Sequence, residues 1–405
     1  MSTNTKKGKN TLTLESEVFT RGVDGIVGKE ALGAALREGK KLKIKLGIDV
    51  TAPLLHIGHA ATLWKLRTLQ EAGHKIQILL GDFTTRIGDP TGRSKTRPVI
   101  AEKKIEKNAR RIKTQVLKVL HPQKNLLEIR RNSEWYGKMK VGDFLKILSL
   151  VTHARLIERD MFKERIRKGE EIYVHELLYP VLQGYDSHML ESDCTVVGSD
   201  QLFNESMGRF FQEKFGGVPQ AIVTLKILSG LDGGEKMSKS AGNYIAVKDA
   251  ARDKFGKAMS LSDNLIFDYL MMYTDVPQAD IETWKAGVLK GENPMQAKLF
   301  FAEALVRRYH GSNAARKERE YFLSLFSKKE IPDSVPRISL PKGEYDALAL
   351  VMKTRAAASK SEARRLIGQK AVRIGGKILS SPHEPVSIQP GLIIRIGNKR
   401  IFKVV

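Results

Sequence analysis

Two histidines, His56 and His59, stand three residues apart where an apolar-alternating run ends and a helical pattern begins. The run breaks at Gly47. A strand, a glycine turn and a helix N-terminus together form a phosphate site, because the first N–H groups of a helix lack intrahelical partners and carry the positive end of its dipole. Residues three apart share a helix face, so both imidazoles can face one ligand. On spacing alone, a structural pair of histidines is the more common arrangement.

A second set of candidate groups lies in the glycine-flanked segment 230–243, which contains Lys236, Lys239 and Ser240. Lysines are compact cations that can hold a triphosphate, and flanking glycines allow a loop to close over it. The bare pattern also fits a flexible surface hairpin. A further basic segment, residues 88–98, combines turn-forming residues with arginines suited to phosphate, or else is a solvated basic loop. Its two candidate arginines are Arg93 and Arg97.

Acidic side chains follow each of three short β-prone runs. The runs are residues 43–48, 76–80 and 194–198, and the acids are Asp49, Asp82 and Asp200. Strands that alternate with helical patterns predict a parallel sheet with helices on its faces, and ligands of such sheets bind outside the carboxyl ends of the strands. The sequence therefore predicts an α/β, Rossmann-like fold with these acids at the ligand-binding edge.

Three further polar residues, Tyr179, Gln183 and Asp186, fall within one helical pattern. A helix beginning at Pro180, a residue favoured at the first helical position, would place Gln183 and Asp186 on one face. With Tyr179 they can then converge on one small polar ligand. The alternative is a buried hydrogen-bonded network of purely structural value.

The 405 residues exceed what one hydrophobic core usually organises, so we expect several parts. A helical pattern interrupts the expected sheet, a second follows it, and prolines and charges mark a linker before a basic C-terminal segment. The expected parts are a disordered tail (1–12), a Rossmann-like catalytic domain (13–245) with a helical insertion (about 101–170), an α-helical domain (246–330), a linker (331–340) and a small α+β domain (341–405).

Basic residues dominate the segment 341–405, which carries 13 lysines and arginines against 4 acids. Ser359 and Glu362 form a capping-box pattern that opens a helix, a strand pair follows, and Gly397 with Asn398 is a hairpin-turn signal. A helix–strand unit of this charge suits a folded RNA backbone, which proteins recognise mostly by shape and phosphate. Its candidate RNA-binding residues are Arg364, Arg365, Lys370 and Arg373.

The whole chain is strongly basic, with a formal net charge of +24 and a pI near 9.9. A large polyanion is the expected partner, although a merely solvated basic surface is the alternative. No apolar run approaches the roughly 18 residues of a membrane span. Cys194 is the only cysteine, which excludes an intrachain disulfide and a multi-cysteine zinc site. The first ten residues carry no targeting pattern, so we expect a cytoplasmic protein.

Three of these residue sets occur in the order found in class I aminoacyl-tRNA synthetases. They are His56-Ile57-Gly58-His59, Tyr179 with Gln183 and Asp186, and Lys236-Met237-Ser238-Lys239-Ser240. The middle set resembles tyrosyl-tRNA synthetases in particular, as do the segments 88–92 and 198–201. The C-terminal unit resembles the αL RNA-binding motif of the bacterial-type tyrosyl enzymes. The resemblance therefore covers nearly the whole chain, from about residue 12 to 405.

This resemblance implies a two-step reaction. L-tyrosine and ATP give tyrosyl-adenylate and pyrophosphate, and the tyrosyl group then moves to the 3′-end of tRNA(Tyr). The carboxylate of the substrate itself attacks the α-phosphorus, so catalysis rests on positioning and on stabilising phosphate charge. Mg2+ is expected to arrive with ATP, and the sequence shows no dedicated metal site. The resemblance also implies a homodimer formed through the helical insertion.

The resemblance further assigns a role to each candidate residue. The residues expected to contact ATP are Gly47, Asp49, Thr51, His56, Gly58, His59 and Asp200, with Asp200 on the ribose. Lys236, Lys239 and Ser240 are expected to bind the departing pyrophosphate, and Arg93 and Arg97 the triphosphate or the tRNA acceptor end. For tyrosine, Asp89, Tyr179 and Gln183 are expected to bind the α-ammonium and Gln201 the carboxylate side. Asp186 is expected to bind the phenol hydroxyl.

One position departs from the pattern of many tyrosyl enzymes. They carry a second tyrosine two residues before the first-strand glycine, whereas this chain has Lys45. A second branch of the family shares the lysine. Either Asp186 reads the phenol hydroxyl alone, or a residue that the motifs do not mark supplies a second hydrogen bond.

Three other interpretations are compatible with parts of the pattern. A tryptophanyl-type synthetase could use Asp186 to accept from an indole N–H, but the Tyr179 set and the C-terminal module argue against it. A nucleotidyltransferase shares the histidine motif but lacks the helical and RNA-binding domains. A non-catalytic RNA-binding relative commonly loses the lysine loop, which is intact here.

Overall fold

Five parallel strands and one antiparallel edge strand form the main sheet. They are β1 (Val23–Val27), β2 (Lys43–Asp49), β3 (Lys75–Gly81), β4 (Leu127–Arg131), β5 (Cys194–Gly198) and β6 (Ala221–Leu225), ordered β1-β6-β5-β2-β3-β4 with β1 antiparallel. The structure is a computed structural model that describes residues 12–90, 100–238, 242–326, 335–357, 359–397 and 400–405. The three predicted strands are confirmed as β2, β3 and β5. The α/β, Rossmann-like fold class is confirmed with them.

Apolar residues make these strands the centre of the core. Ile44, Ile76 and Val196 are almost fully buried, as expected for a parallel sheet that is covered on both faces. The only cysteine of the sequence, Cys194, begins β5 with 1% exposure. Burial raises the pKa of its thiol to about 12. Lys45 is an exception among its apolar neighbours, because it lies equally deep in β2.

Helices cover the sheet and continue beyond it. In the described part of residues 1–310 they are α1 (Glu17–Thr20), α2 (Lys29–Arg37), α3 (Ile57–Glu71), α4 (Glu102–Val116), α5 (Ser133–Tyr136), α6 (Val141–Ser149), α7 (His153–Ile157), α8 (Asp160–Arg167), α9 (Val174–Leu190), α10 (Leu202–Lys214), α11 (Ala251–Met259), α12 (Ile266–Tyr273), α13 (Gln278–Leu289) and α14 (Met295–His310). Short 3-10 helices span Thr84–Arg86, Ser199–Gln201 and Asp263–Leu265. None of the helices within the described ranges is long and apolar enough to cross a membrane.

The order of the strands fixes where a ligand can bind. From β2 the chain continues outward through β3 and β4, whereas β5 and β6 extend the sheet on the other side of β2. The crevice beyond the carboxyl ends of β2 and β5 is therefore the switch point at which open α/β sheets bind ligands. Asp49 is the last residue of β2, and the 3-10 helix at Ser199–Gln201 follows β5 directly.

Two of the expected boundaries differ in the structure. The segment 101–170 is not wholly helical, because β4 pairs with β3 from Ile76 to Leu80 and belongs to the sheet. Residues 246–330 do not form a separate domain either, since the compact units are Met1–Tyr309 and His310–Val405. Tyr309 packs against the sheet core, and its hydroxyl accepts a hydrogen bond from Trp64 Nε1 at 3.2 Å.

The C-terminal unit has its own core and sheets. Its described elements are α15 (Ser312–Phe326), β7 (Arg337–Ile338), β8 (Gly343–Asp346), α16 (Ala347–Lys353), α17 (Lys360–Gly368), β9 (Val372–Ile374), β10 (Lys377–Ile378), β11 (Pro385–Ile388), β12 (Ile393–Ile396) and β13 (Arg400–Val404). The strands form a five-stranded sheet, β10-β9-β12-β13-β7, and a β11-β8 pair. The expected linker 331–340 thus contains β7, while residues 327–334 lie outside the described ranges. The β12–β13 hairpin turns at Gly397, with φ of +62°, and Asn398 also lies outside those ranges.

Candidate active site

The two histidines lie together at the start of α3. His56 caps the helix, its backbone N–H donates to Nδ1 of His59 at 3.4 Å, and the two ring centroids are 3.8 Å apart. A Cβ at Gly58 would lie 2.9 Å from His56 Nδ1, so a larger residue there would displace the His56 ring. The predicted helix start is confirmed, and both imidazoles stand beside the helix N-terminus that the phosphate hypothesis requires.

The lysine loop runs next to this helix start. The backbone of Ile57 donates to the Ile245 carbonyl at 3.0 Å, which ties α3 to the chain just after the loop. Lys236 Nζ lies 3.1 Å from Asp200 Oδ2, at the end of β5. The loop lysine and the acid assigned to ribose are therefore neighbours. Four predicted phosphate-binding residues lie outside the described residues, namely Arg93, Arg97, Lys239 and Ser240.

One buried amide holds the loop in shape. Asn243 Oδ1 accepts from the Ser238 backbone at 2.9 Å, and its Nδ2 donates to Asp232 Oδ1 and to the Glu235 carbonyl, each at 3.3 Å. A Cβ at Gly230 would stand 2.1 Å from that nitrogen, so only glycine lets the Asn243 side chain cross there. Asn243 was not predicted to have a role, and no local pattern marks this contact.

The acids that follow the strands have different surroundings. Asp49 accepts from Thr84 Oγ1 at 2.9 Å and from the Tyr179 hydroxyl at 3.1 Å, so the ATP edge and the amino-acid residues share one network. Burial and the charge of Asp49 hold the pKa of Tyr179 well above its usual value, which keeps its hydroxyl a donor. Asp82 instead accepts from the backbone and the hydroxyl of Ser133, at 3.0 and 2.8 Å. Asp82 thus binds the first residue of α5.

The central strand carries an open position at the same edge. Gly47 is exposed although its neighbours in β2 are buried, and a Cβ there would meet no atom within 4 Å. Thr51 is half-buried two residues beyond the end of β2. Both positions lie where the switch-point rule expects a nucleotide.

Asp186 is buried, with 3% exposure, on α9. Its Oδ1 accepts from Trp135 Nε1 at 2.9 Å and its Oδ2 from Asn132 Nδ2 at 3.2 Å. Burial raises the pKa of the Asp186 carboxyl to about 7, against the lowering influence of the Lys45 charge and of these hydrogen bonds. Asn132 and Trp135 were missed from the sequence, because they precede Asp186 by about 50 residues in a segment without a motif.

The helix that carries this residue begins earlier than predicted. Pro180 lies inside α9, which starts at Val174, six residues before it. Glu176 sets the start, because its carboxylate accepts from the Tyr173 backbone at 3.0 Å and pairs with Arg165 at 2.8 Å. The prediction of a helix starting at Pro180 was therefore wrong, although the shared face of Gln183 and Asp186 does not depend on the start.

The remaining predicted pocket residues meet through an asparagine. Gln201 Nε2 donates to Asp89 Oδ2 at 2.9 Å. Asn204 Nδ2 donates to Gln183 Oε1 at 2.9 Å and to Gln201 Oε1 at 3.1 Å. Residues from α9, from the loop after β3 and from the segment after β5 thus form one cluster, and Asn204, which no motif indicated, connects them.

Lys45 pairs with a residue that the sequence analysis also missed. Its Nζ lies 2.9 Å from Glu205 Oε2, and both side chains are only 1% exposed. Glu205 Oε1 accepts from Gln183 Nε2 at 2.8 Å, and Oε2 accepts from Gln220 Nε2 at 2.9 Å. No motif marks Glu205, and its burial is known only from the structure.

The predicted RNA-binding residues lie at the surface of the C-terminal unit. Ser359 Oγ accepts from the Glu362 backbone at 3.2 Å and begins α17, as the capping pattern predicted. Lys370, just beyond the helix, has a φ of +55°. All four predicted residues are exposed, namely Arg364, Arg365, Lys370 and Arg373.

Comparison of the sequence and the fold with known proteins identifies related synthetases. Residues 37–327 match the family described as tRNA synthetases class I (W and Y). Among solved structures, tyrosyl-tRNA synthetase from Archaeoglobus fulgidus, complexed with L-tyrosine, has a TM-score of 0.59 at 24% identity, over 75% of this chain and 98% of that chain. Tryptophanyl-tRNA synthetase from Encephalitozoon cuniculi has a TM-score of 0.58 at 16% identity, over 75% and 86%. These likenesses show the fold alone.

Sequence relatives are more specific. The tyrosine–tRNA ligase of Thermotoga maritima is 39% identical over 389 residues, which are 96% of this chain and 96% of the relative. That of Oleidesulfovibrio alaskensis is 41% identical over 391 residues, or 96% and 98%. Both matches include the C-terminal unit as well as the sheet. The chain therefore belongs to the tyrosine–tRNA ligase family of the class I tRNA synthetases.

Proposed function

We propose that this chain activates L-tyrosine with ATP and transfers the tyrosyl group to the 3′-end of tRNA(Tyr). The observation that carries the proposal is the buried carboxyl of Asp186. Two fixed donors, Trp135 Nε1 and Asn132 Nδ2, hold it in place on the helix that also carries Tyr179 and Gln183. A held acceptor of this kind suits a phenol O–H at one end of a substrate whose other end is a charged amino acid.

The amino-acid end of the substrate would meet the cluster that Asn204 connects. An α-ammonium has only donors, and Asp89, the Gln183 oxygen and the Tyr179 oxygen can accept from it. Gln201 would stand beside the carboxylate. Binding both ends fixes the carboxylate for in-line attack on the α-phosphorus, which needs no protein nucleophile.

The phosphate end would lie across the N-terminus of α3. Charge grows on the pyrophosphate as the bond to the α-phosphorus breaks, and cations and helix-terminal N–H groups stabilise it. His56, His59, Lys236, Lys239 and Ser240 would supply these contacts. Asp49 and Asp200 would hold the nucleoside, and Arg93 and Arg97 the triphosphate or the tRNA end. Mg2+ would enter with ATP as part of the substrate.

Amino-acid-dependent exchange of pyrophosphate into ATP tests the first step. We expect exchange with L-tyrosine and Mg2+, and little with L-phenylalanine or L-tryptophan. Exchange stimulated by tryptophan and not by tyrosine would instead support a tryptophanyl enzyme, because an indole N–H can also donate to Asp186. Charging of tRNA(Tyr) with labelled tyrosine tests the second step. A tRNA substrate also argues that the protein acts in the cytoplasm.

A homodimer formed through the helical insertion is part of the same proposal. Large apolar side chains are exposed on or next to α6, α8 and α9, namely Val141, Leu145, Ile166 and Val174. Exposed apolar side chains that form a patch favour a protein contact, and Val141 and Leu145 are one helical turn apart on α6. Light scattering after size-exclusion chromatography measures the mass, and a monomer at micromolar concentration would contradict this part.

A further inference from the structure

The ion pair between Lys45 and Glu205 has no role in the reaction described above. Both side chains are 1% exposed, and Nζ lies 2.9 Å from Oε2. Burying two charges is costly, and replacing such a pair with apolar side chains is often neutral for stability. Stability is therefore a weak reason for the presence of the pair. The position of the pair suggests another reason, because Glu205 contacts Gln183, one of the groups proposed to bind the substrate ammonium.

The contact with Glu205 fixes which way the Gln183 amide points. An ionised carboxylate can only accept hydrogen bonds, so Gln183 must turn its Nε2 toward Glu205 Oε1, at 2.8 Å. Its oxygen then faces the opposite side, where it accepts from Asn204 Nδ2 at 2.9 Å and keeps a second lone pair. The opposite amide orientation would present N–H donors to an ammonium and repel it.

The cation keeps this arrangement from reversing. A buried carboxylate is costly unless its oxygens are paired and hydrogen-bonded. Lys45 Nζ and Gln220 Nε2 both lie 2.9 Å from Glu205 Oε2, so this oxygen is held on the side away from Gln183. Oε1 is then the oxygen that accepts from Gln183 Nε2.

We propose that Lys45 and Glu205 form a positioning pair for the amino-acid site, in which Glu205 holds the oxygen of Gln183 toward the substrate ammonium and Lys45 holds Glu205 in place through Oε2. The inference rests on the proposed function, since it concerns the same pocket. It also gives the lysine that replaces the second tyrosine a task at the ammonium end of the substrate.

Two tyrosine analogues separate this role from a merely structural one. Tyrosinol keeps the ammonium and lacks the carboxylate, whereas 3-(4-hydroxyphenyl)propionate lacks the ammonium. In Glu205→Gln, calorimetric titration should show an affinity for tyrosinol reduced about 10- to 100-fold, the range expected when a hydrogen bond to a charged group is lost. The affinity for the propionate should change less than about 3-fold. In pyrophosphate exchange, KM for tyrosine should rise while KM for ATP stays nearly constant.

A second variant protects the test against misfolding. Lys45→Met combined with Glu205→Leu removes both charges, so no unpaired charge stays buried, and it should fold. We expect tyrosinol binding to weaken more than binding of the propionate, although losing the Lys45 charge also acts on Asp186 and so on the phenol of both analogues. Glu176→Gln is the matched control. Glu176 lies on α9, like Gln183, and forms a buried pair with Arg165 of α8. It should leave the affinity ratio of the two analogues unchanged.

The outcomes are distinct. Equal weakening of both analogues in the variants would show a structural role and overturn the inference, as would unchanged tyrosinol binding. Either result leaves the proposed function standing, provided the unaltered protein binds tyrosinol and exchanges pyrophosphate with tyrosine. Failure of the unaltered protein in both assays would overturn the proposed function itself and this inference with it.

Discussion

Asp186 is a carboxyl with 3% exposure whose two oxygens already accept from Trp135 and Asn132. Each oxygen keeps a further lone pair, so a substrate hydroxyl can join without displacing either donor. A ligand without that hydroxyl leaves a buried acceptor short of a partner, which costs about 1–3 kcal/mol. Selection of tyrosine over phenylalanine would thus follow from one held carboxyl.

Replacing Asp186 with Asn tests that selection. The amide presents a donor where the substrate needs an acceptor, so kcat/KM for tyrosine in pyrophosphate exchange should fall about 10- to 100-fold. The value for phenylalanine should change much less. Asp82→Asn is the control, because Asp82 follows the neighbouring strand but accepts only from Ser133 among the hydrogen bonds described above. A loss that is equal for both amino acids would argue against recognition of the hydroxyl.

The same carboxyl should make stability depend on pH. Burial raises the pKa of Asp186 from 3.8 to about 7, near the charge of Lys45 and the hydroxyl of Tyr136. Between these values the tyrosine-free folded protein binds a proton that the unfolded chain releases. The contribution to the free energy of unfolding is fully present below pH 3.8 and is lost as pH rises through about 7.

Urea unfolding at several pH values, compared with Asp186→Asn, isolates this contribution. The stability of the unaltered protein relative to the variant should fall between about pH 4 and 8, by a few kcal/mol, since one pKa unit corresponds to about 1.4 kcal/mol. A difference that does not vary with pH would contradict the raised pKa.

Prediction at the residue scale succeeded where a side chain belongs to a motif. The short spacings of His56 with His59, and of Gln183 with Asp186, can be read from the sequence because they lie within one element. The partners of these residues cannot be read in this way. Asn132, which directly follows β4, and Glu205, on α10, reach the site from elsewhere in the chain, and their contacts depend on how the strands are ordered.

At the scale of elements, the side chain of Asn243 anchors the lysine loop through bonds to two backbone groups and one carboxylate. Asn243→Ala removes hydrogen bonds to Ser238, Asp232 and Glu235. The loop should then lose its shape, and tyrosine-dependent pyrophosphate exchange should fall about 10-fold or more, since each lost bond costs about 1 kcal/mol. Tyrosine binding measured without ATP should stay the same.

Glycine substitutions in the loop check the cause. Gly230→Ala should reproduce the defect of Asn243→Ala, because the new Cβ would stand 2.1 Å from the Asn243 side-chain nitrogen. Gly234→Ala should be tolerated, since its Cβ would meet no atom closer than 3.6 Å. Equal effects of the two alanines would mean that loop flexibility, rather than the anchor, matters.

Elements were predictable where burial dictates the pattern. The central strands β2, β3 and β5 are apolar runs followed by polar residues, and each was predicted. β6 was missed although all five of its residues are buried, and so were the two edge strands. β1 is largely exposed, and β4 ends in two arginines, so neither carries the alternation that marks a half-buried strand. The start of α9 was misplaced because Glu176 and Arg165, rather than Pro180, set it.

At the scale of the whole molecule, the charge of +24 is shared by both compact units. The exposed pair Arg364 and Arg365 on α17 gives a direct test of the RNA partner. Changing both to glutamate should leave pyrophosphate exchange unaffected and reduce tRNA charging, with a weaker dependence of tRNA binding on salt. The control is Lys29→Glu with Arg37→Glu on α2, which changes the net charge equally. Similar losses in both variants would mean that overall charge, rather than this helix, binds the RNA.

The buried thiol of Cys194 makes the protein convenient for site-specific labelling. A thiol with 1% exposure and a pKa raised to about 12 exists almost entirely in its protonated, unreactive form at neutral pH. Maleimide reagents should therefore leave the unaltered chain unmodified. A cysteine introduced at the tolerant position Gly234 would be the only reactive thiol. A fluorophore attached there could report the movement of the lysine loop as ATP binds.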